Sequence, residues 1–202
     1  ILGTDHLALR MLGITGTNGK TTTAYLVHSA LTALGVSTGL IGTVETRIGD
    51  ERLDSVRTTP EAPELHSVLA VMAQRGLHTC VMEVSSHALA QHRVDGVVYD
   101  VALFTNLSPD HLGFHRDMDA YFDAKAAPFT PQRARRGLVC VDDDWGRRLA
   151  VEAGIPVETI ATVHAGSQEA APDADWLITV DAVDPAAFRL TGPGVGLHLR
   201  SR

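Results

Sequence analysis

Residues 10–22, RMLGITGTNGKTT, decide the reading of this chain. Arg10–Thr15 is an apolar run of strand length, followed by the turn residues Gly16, Asn18 and Gly19. A helical pattern opens at Lys20 and continues to about residue 34, where Gly35 stops it. Strand, glycine-rich turn and helix in this order form a phosphate cradle. Glycines let successive backbone N–H groups turn inward, and the helix adds its positive end. The strict spacing of Gly, four residues, then Gly-Lys-Ser/Thr fails by one residue, because Ile14 stands five before Gly19 with Gly13 and Gly16 on either side. The chemistry survives that departure. Amides of Gly16, Thr17, Asn18 and Gly19 can face phosphate oxygens, Lys20 can neutralise terminal phosphate charge, and the Thr21 hydroxyl, beside Thr22, can ligate magnesium. The stretch is read as a nucleoside triphosphate site.

Outward from the loop, short apolar strands alternate with amphipathic helices. That predicts an α/β fold, a P-loop-containing and mostly parallel sheet flanked by helices. Strands are expected in VSTGLIGTV, TCVMEV, YDVALFT and GLVCVD, with a hairpin in TRIGDERLD turning at Gly49-Asp50. Helices are expected from Pro60-Glu61 to about residue 75, through SSHALAQHR, over residues 118–129 with Pro128 straining the end, and over 143–153. From about residue 155 to 202, VETIATV, DWLITVDAV and FRLTGPGVGLHLRS are read as a small antiparallel β subdomain, a flap beside the main sheet.

Composition narrows the class. Of 202 residues 45% are hydrophobic and 20% charged, the balance of a packed globule. The net charge of −7 argues against a broad nucleic-acid surface. No apolar run approaches the roughly 18–20 residues a membrane span needs, so no membrane insertion is expected. ILGTDHLALRML does not read as a signal peptide. Lacking Met and starting close to a strand, the chain reads as a piece of a longer protein. Cys80 and Cys140 sit in apolar β-branched runs and are read as reduced thiols, which points to the cytoplasm. Among 17 basic residues only Lys20 and Lys125 are lysines; one reading is chemistry that needs a primary amine, the other is chance at one or both positions, with Lys125 an ordinary exposed helix lysine.

Glu83 closes the strand TCVMEV, where ligands bind in open parallel sheets. Flanked by apolar residues, it is an expensive buried charge unless paired or metal-bound, and is read as a magnesium ligand. Asp110 and His111, in the loop NLSPDHLGFH, are candidates for metal ligation or catalytic support, although magnesium prefers oxygen donors. His115 is given no site role and is read as a surface or capping residue.

TGTNGKTTT, TTPEAPEL, MEVSSHALAQHRV and TNLSPDHLGFH, in this order, resemble the central domain of the Mur ligases, most nearly the UDP-N-acetylmuramoyl-tripeptide synthetase type. The resemblance is strong over roughly residues 8–145. It implies that residues 1–202 are the ATP-binding domain of a three-domain cytoplasmic enzyme, without the N-terminal UDP-binding and C-terminal amino-acid-binding domains; a monomer is expected. It implies ATP-driven phosphorylation of the D-glutamate carboxylate of UDP-N-acetylmuramoyl-L-alanyl-D-glutamate. The amine of meso-diaminopimelate or L-lysine then attacks the acyl phosphate. Carried over by position, Lys20 holds the terminal phosphates, Thr21 and Glu83 a first Mg²⁺, and His111 a second. Thr58, Thr59, Ser85 and Arg93 hold the UDP-sugar peptide. Lys125 matches a lysine that becomes N6-carboxylated and so turns from cation to anionic oxygen ligand. Two alternatives stay open: another amide ligase of the superfamily, such as cyanophycin synthetase or folylpolyglutamate synthase, and a non-catalytic nucleotide-binding module. TTPEAP and SSHALAQHRV favour the tripeptide type; Glu83 and NLSPDH favour chemistry over binding alone.

Overall fold

The computed structural model describes residues 7–166, 172–184 and 186–200. Its strands are β1 (Arg10–Thr15), β2 (Thr38–Ile41), β3 (Glu45–Ile48), β4 (Glu51–Asp54), β5 (Thr79–Glu83), β6 (Val101–Phe104), β7 (Gly137–Cys140), β8 (Val157–His164), β9 (Trp176–Val180), β10 (Ala187–Gly192) and β11 (Val195–Arg200). The helices are α1 (Lys20–Ala33), α2 (Ala62–Gln74), α3 (Ser86–Ala90), α4 (Met118–Ala126) and α5 (Asp144–Glu152). All strands join one sheet in the order β11-β10-β9-β8-β7-β6-β1-β5-β2-β3-β4.

Side chains of a strand alternate between faces, and the two faces of this sheet carry separate cores. Ile14, Leu40 and Val81 pack with Ala24 of α1 on one face. Met11, Cys80 and Met82 face the other way, toward Leu65, Leu69 and Met72 of α2. β1 lies between β5 and β6 and runs parallel to both. The chain leaves β1 through α1 toward β2, then returns from β5 through α3 across β1 to β6. This reversal of winding brings the carboxyl ends of β1, β5 and β6 together at the kind of crevice where open α/β sheets bind ligands.

Four sequence readings are corrected. β8 pairs parallel with β7, and β9 parallel with β8, so VETIATV and DWLITV extend the main sheet. Within residues 155–202 the antiparallel pairing described is that of β9-β10-β11, which makes the flap narrower than that span; the opposite edge, β2-β3-β4, is antiparallel as well. Residues 167–171, 185 and 201–202 of that region lie outside the described residues. α4 ends at Ala126 rather than 129, because Pro128 cannot supply the N–H that another turn requires. α2 takes Pro63, not Pro60, into its first turn. Only Ser86–Ala90 of SSHALAQHR is helical, started by the Ser85 side chain accepting from the Ala88 amide.

Candidate active site

The loop between β1 and α1 is braced by the segment that follows β6. Gly16 has φ 141°, and a Cβ there would meet Thr105 Oγ1 at 1.9 Å, so only glycine fits. Thr105 donates to the Asn18 carbonyl at 2.7 Å. The Thr17 amide donates to Asn106 O at 2.9 Å and the Asn18 amide to Asn106 Oδ1 at 3.0 Å. These two amides were expected to face phosphate; here they hold the loop to the segment after β6. Gly19, with φ 84°, then starts α1 without a side-chain cap and with no acidic residue in the first turn. The unpaired amides of that turn keep their positive end for an anion.

Both lysines of the chain converge on one carbonyl. Lys20 Nζ donates to Gly16 O and Thr17 O, each at 2.9 Å, and Lys125 Nζ donates to Gly16 O at 2.7 Å. Lys125 is 1% exposed. Burial, reinforced by the Lys20 charge and partly offset by Asp110, brings its amine down to about 7. Burial also lowers Lys20, against the raising influence of Glu83 and Asp110. Lys125 therefore presents a large neutral fraction near neutrality, the form an electrophile such as CO₂ needs.

Glu83 is fully buried. Its Oε2 accepts from Thr21 Oγ1 at 2.8 Å and from Thr43 Oγ1 at 3.1 Å, and its Oε1 from the Thr43 amide at 2.7 Å. These hydrogen-bond donors are all neutral. A buried carboxylate beside a threonine hydroxyl is an oxygen-rich seat that a magnesium ion fits and whose negative charge it would offset. Among the described residues no group of three or more His, Cys, Asp or Glu side chains is arranged to hold a metal. Lys125 would have to carry a carboxylate to contribute oxygen. Thr43, absent from the sequence reading, fixes the Glu83 carboxylate with two bonds and touches Thr58 Oγ1 at 3.1 Å. A motif search for charged ligands passes over such a neutral threonine.

Thr59, Ser85 and Arg93 gather beside Glu83. The Thr59 hydroxyl donates to Glu83 O at 2.9 Å and accepts from the Ser85 amide at 3.1 Å. Arg93 reaches Thr59 O at 3.5 Å and pairs with Glu61 at 3.3 Å. His111 lies toward solvent with φ 54°, an uncommon conformation for a non-glycine residue, and its amide bonds to Asp110 at 2.8 Å. His115 is not a surface residue. It is 6% exposed and lies 4.9 Å from the Tyr121 ring in a cluster with His87, His111 and Phe114. Burial holds both His87 and His115 below the ordinary histidine range. Elsewhere, a depression of about 640 Å³ bordered by Arg10, His78, Asp100 and Arg135 opens at the amino ends of β1 and β5. That is the opposite end of the sheet, and Asp100 there is already paired with Arg135 and the Met11 amide.

A braced glycine loop after the first strand, two convergent lysines and a buried carboxylate at the sheet's switch point define a phosphate-loop α/β domain. The Mur ligase middle domain model matches residues 14–182, and the chain belongs to that family. It is 55% identical over 195 residues to the UDP-N-acetylmuramoyl-L-alanyl-D-glutamate–2,6-diaminopimelate ligase of Streptomyces avermitilis, covering 96% of this chain and 37% of that protein. It is 49% identical over 193 residues to the UDP-N-acetylmuramyl-tripeptide synthetase of Leifsonia xyli subsp. xyli, covering 95% of this chain and 36% of that protein. The chain thus spans little more than a third of the length of these relatives. A solved UDP-N-acetylmuramoyl-L-alanyl-D-glutamate–2,6-diaminopimelate ligase superposes with TM-score 0.79 at 27% identity, over 98% of this chain and 40% of that one. E. coli FolC in complex with DHPP and ADP gives 0.65 at 19% identity, over 97% and 49%, a likeness of fold alone.

Proposed function

We propose that this chain is the ATP-binding domain of a ligase that adds 2,6-diaminopimelate to UDP-N-acetylmuramoyl-L-alanyl-D-glutamate during peptidoglycan precursor synthesis. In this reading the γ-phosphoryl group of ATP passes to the D-glutamate carboxylate, giving an acyl phosphate and ADP. The amine then forms the amide and releases phosphate. Other parts of the enzyme would bind the UDP-sugar and the amino acid. The observation that carries the reading is the meeting of Lys20, Lys125 and the Thr21–Glu83 pair around the β1–α1 loop. The names of the relatives supply the substrates.

The reaction brings two anions together, and the roles assigned to the chain are placement and charge compensation. Lys20 would leave the Gly16 and Thr17 carbonyls to meet the terminal phosphates. Gly16 O keeps Lys125 as a donor when it does. Thr21 and Glu83 would hold Mg²⁺, which screens the phosphate charge and orients the transferring group. A carboxylated Lys125 and His111 would serve a second ion. Thr58, Thr59, Ser85 and Arg93 would seat the acceptor peptide next to Glu83. The free thiols of Cys80 and Cys140 agree with a cytoplasmic setting, and the enzyme is read as a monomer. Among the described residues no helix is long and apolar enough to cross a membrane. The FolC likeness supports only the shared fold, whereas TTPEAP and SSHALAQHRV favour the UDP-sugar acceptor.

The test is phosphate release from ATP by the full-length enzyme, with and without UDP-N-acetylmuramoyl-L-alanyl-D-glutamate. Release is expected only with that acceptor and is expected to vanish in Lys20→Ala. Near-normal release in the variant, or equal release without acceptor, would refute the assignment.

A further inference from the structure

We propose that Tyr121 is a positioning residue that ties the phosphate loop and the Lys125 amine into one rigid unit. Tyr121 is fully buried in α4, four residues before Lys125. Its hydroxyl lies 3.1 Å from Thr17 Oγ1. Thr17 donates its single hydroxyl proton to Ser108 O at 3.2 Å and accepts from the Ser108 amide at 3.0 Å. With that proton committed, Tyr121 is the donor to Thr17, and the threonine oxygen is satisfied from three directions. The face of the same ring lies 4.9 Å from Lys125 Nζ, so the side-chain nitrogen that donates to Gly16 O also packs against it. His115 stacks on the ring at 4.9 Å with a 35° tilt.

Loop, α4 and the histidine segment thus meet at one side chain. When Lys20 moves out to a phosphate, the Tyr121–Thr17 bond and the Lys125–Gly16 bond hold the loop in its ligand-ready shape. The role of Lys125 in this inference rests on the function proposed above; the hold on the loop does not.

The test uses the full-length enzyme and a double-mutant cycle. Tyr121→Phe keeps the ring and deletes the hydroxyl. The equilibrium Kd for ATP with Mg²⁺ is expected to weaken about five- to tenfold, the effect of one buried hydrogen bond. Thr17→Val weakens binding more, since it also breaks the Ser108 bonds, and adding Tyr121→Phe to it changes nothing further. Tyr121→Leu, which removes the ring, is expected to lower kcat at least about tenfold below the Phe variant, because Lys125 loses its seat. Wild-type ATP affinity in Tyr121→Phe, losses that multiply in the double variant, or equal kcat in Leu and Phe would overturn the proposal. The binding arm needs no acceptor. A wild-type enzyme that binds ATP but does not ligate would therefore sink the proposed function and leave the hold on the loop to be judged by the cycle.

Discussion

Burial of Lys125 makes stability depend on pH in a way that one substitution removes. In the unfolded chain this amine keeps its proton up to about pH 10.4. In the folded chain, buried and beside Lys20, it releases the proton near 7. Between those values the unfolded state binds more protons than the native state, so stability rises with pH; below the folded value both states are protonated, and the native protein carries the full cost of a buried ammonium. The slope approaches about 1.4 kcal/mol per pH unit and integrates to about 2 kcal/mol between about pH 6 and 8.5. Lys125→Met keeps the length of the side chain and removes the titration. Gly16 O still has Lys20 as a donor at 2.9 Å. Burial raises Cys80 and Cys140, so their unfolded thiols work in the opposite direction toward alkaline pH, but both proteins share that effect and it cancels in the difference. The assay is urea unfolding of the 202-residue chain in CO₂-depleted buffer, followed by Trp145 and Trp176 fluorescence. Wild type is expected to gain on the variant by about 2 kcal/mol across this range. Curves that stay parallel within about 0.5 kcal/mol would refute the reasoning.

Glu83→Gln keeps shape but removes the charge that Thr21 and both Thr43 donors address; ligation by the full-length enzyme is expected to fall about 10²–10³-fold with a raised Mg²⁺ requirement, and an unchanged Mg²⁺ dependence would contradict the metal seat. Gly16→Ala places a methyl 1.9 Å from Thr105 Oγ1 at φ 141°. The expected result is about 2–4 kcal/mol of destabilisation and loss of ATP binding by calorimetry, and retained binding would show that the loop is not held as described.

The site divides into parts that are local in the chain and parts that are not. Gly16 to Thr22 could be read directly, because strand, turn and helix are adjacent and their chemistry is carried by glycine, lysine and threonine in sequence. The burial of Glu83 was anticipated from its position at the end of an apolar strand. Thr43 and Tyr121 were missed because neither is charged, and their roles arise from contacts with residues 40 and 104 positions away. The bracing of Thr17 and Asn18 by Asn106 was missed for the same reason, and it engages two of the amides that were expected to face phosphate. His115 was read as a surface or capping residue with no site role; folding places it against Tyr121 instead.

The amino-acid pattern alone determined the alternation of strands and helices and the strand, glycine turn and helix of residues 10–33, since each depends on residues close together in the chain. Strand direction did not: alternation has the same period in parallel and antiparallel strands, so the placement of β8 and β9 in the parallel sheet emerged only from their pairing partners. The state of Lys125 likewise belongs to the tertiary structure. A helix lysine is ordinarily solvated, and only the packing of α4 under the loop removes the water that would keep it charged.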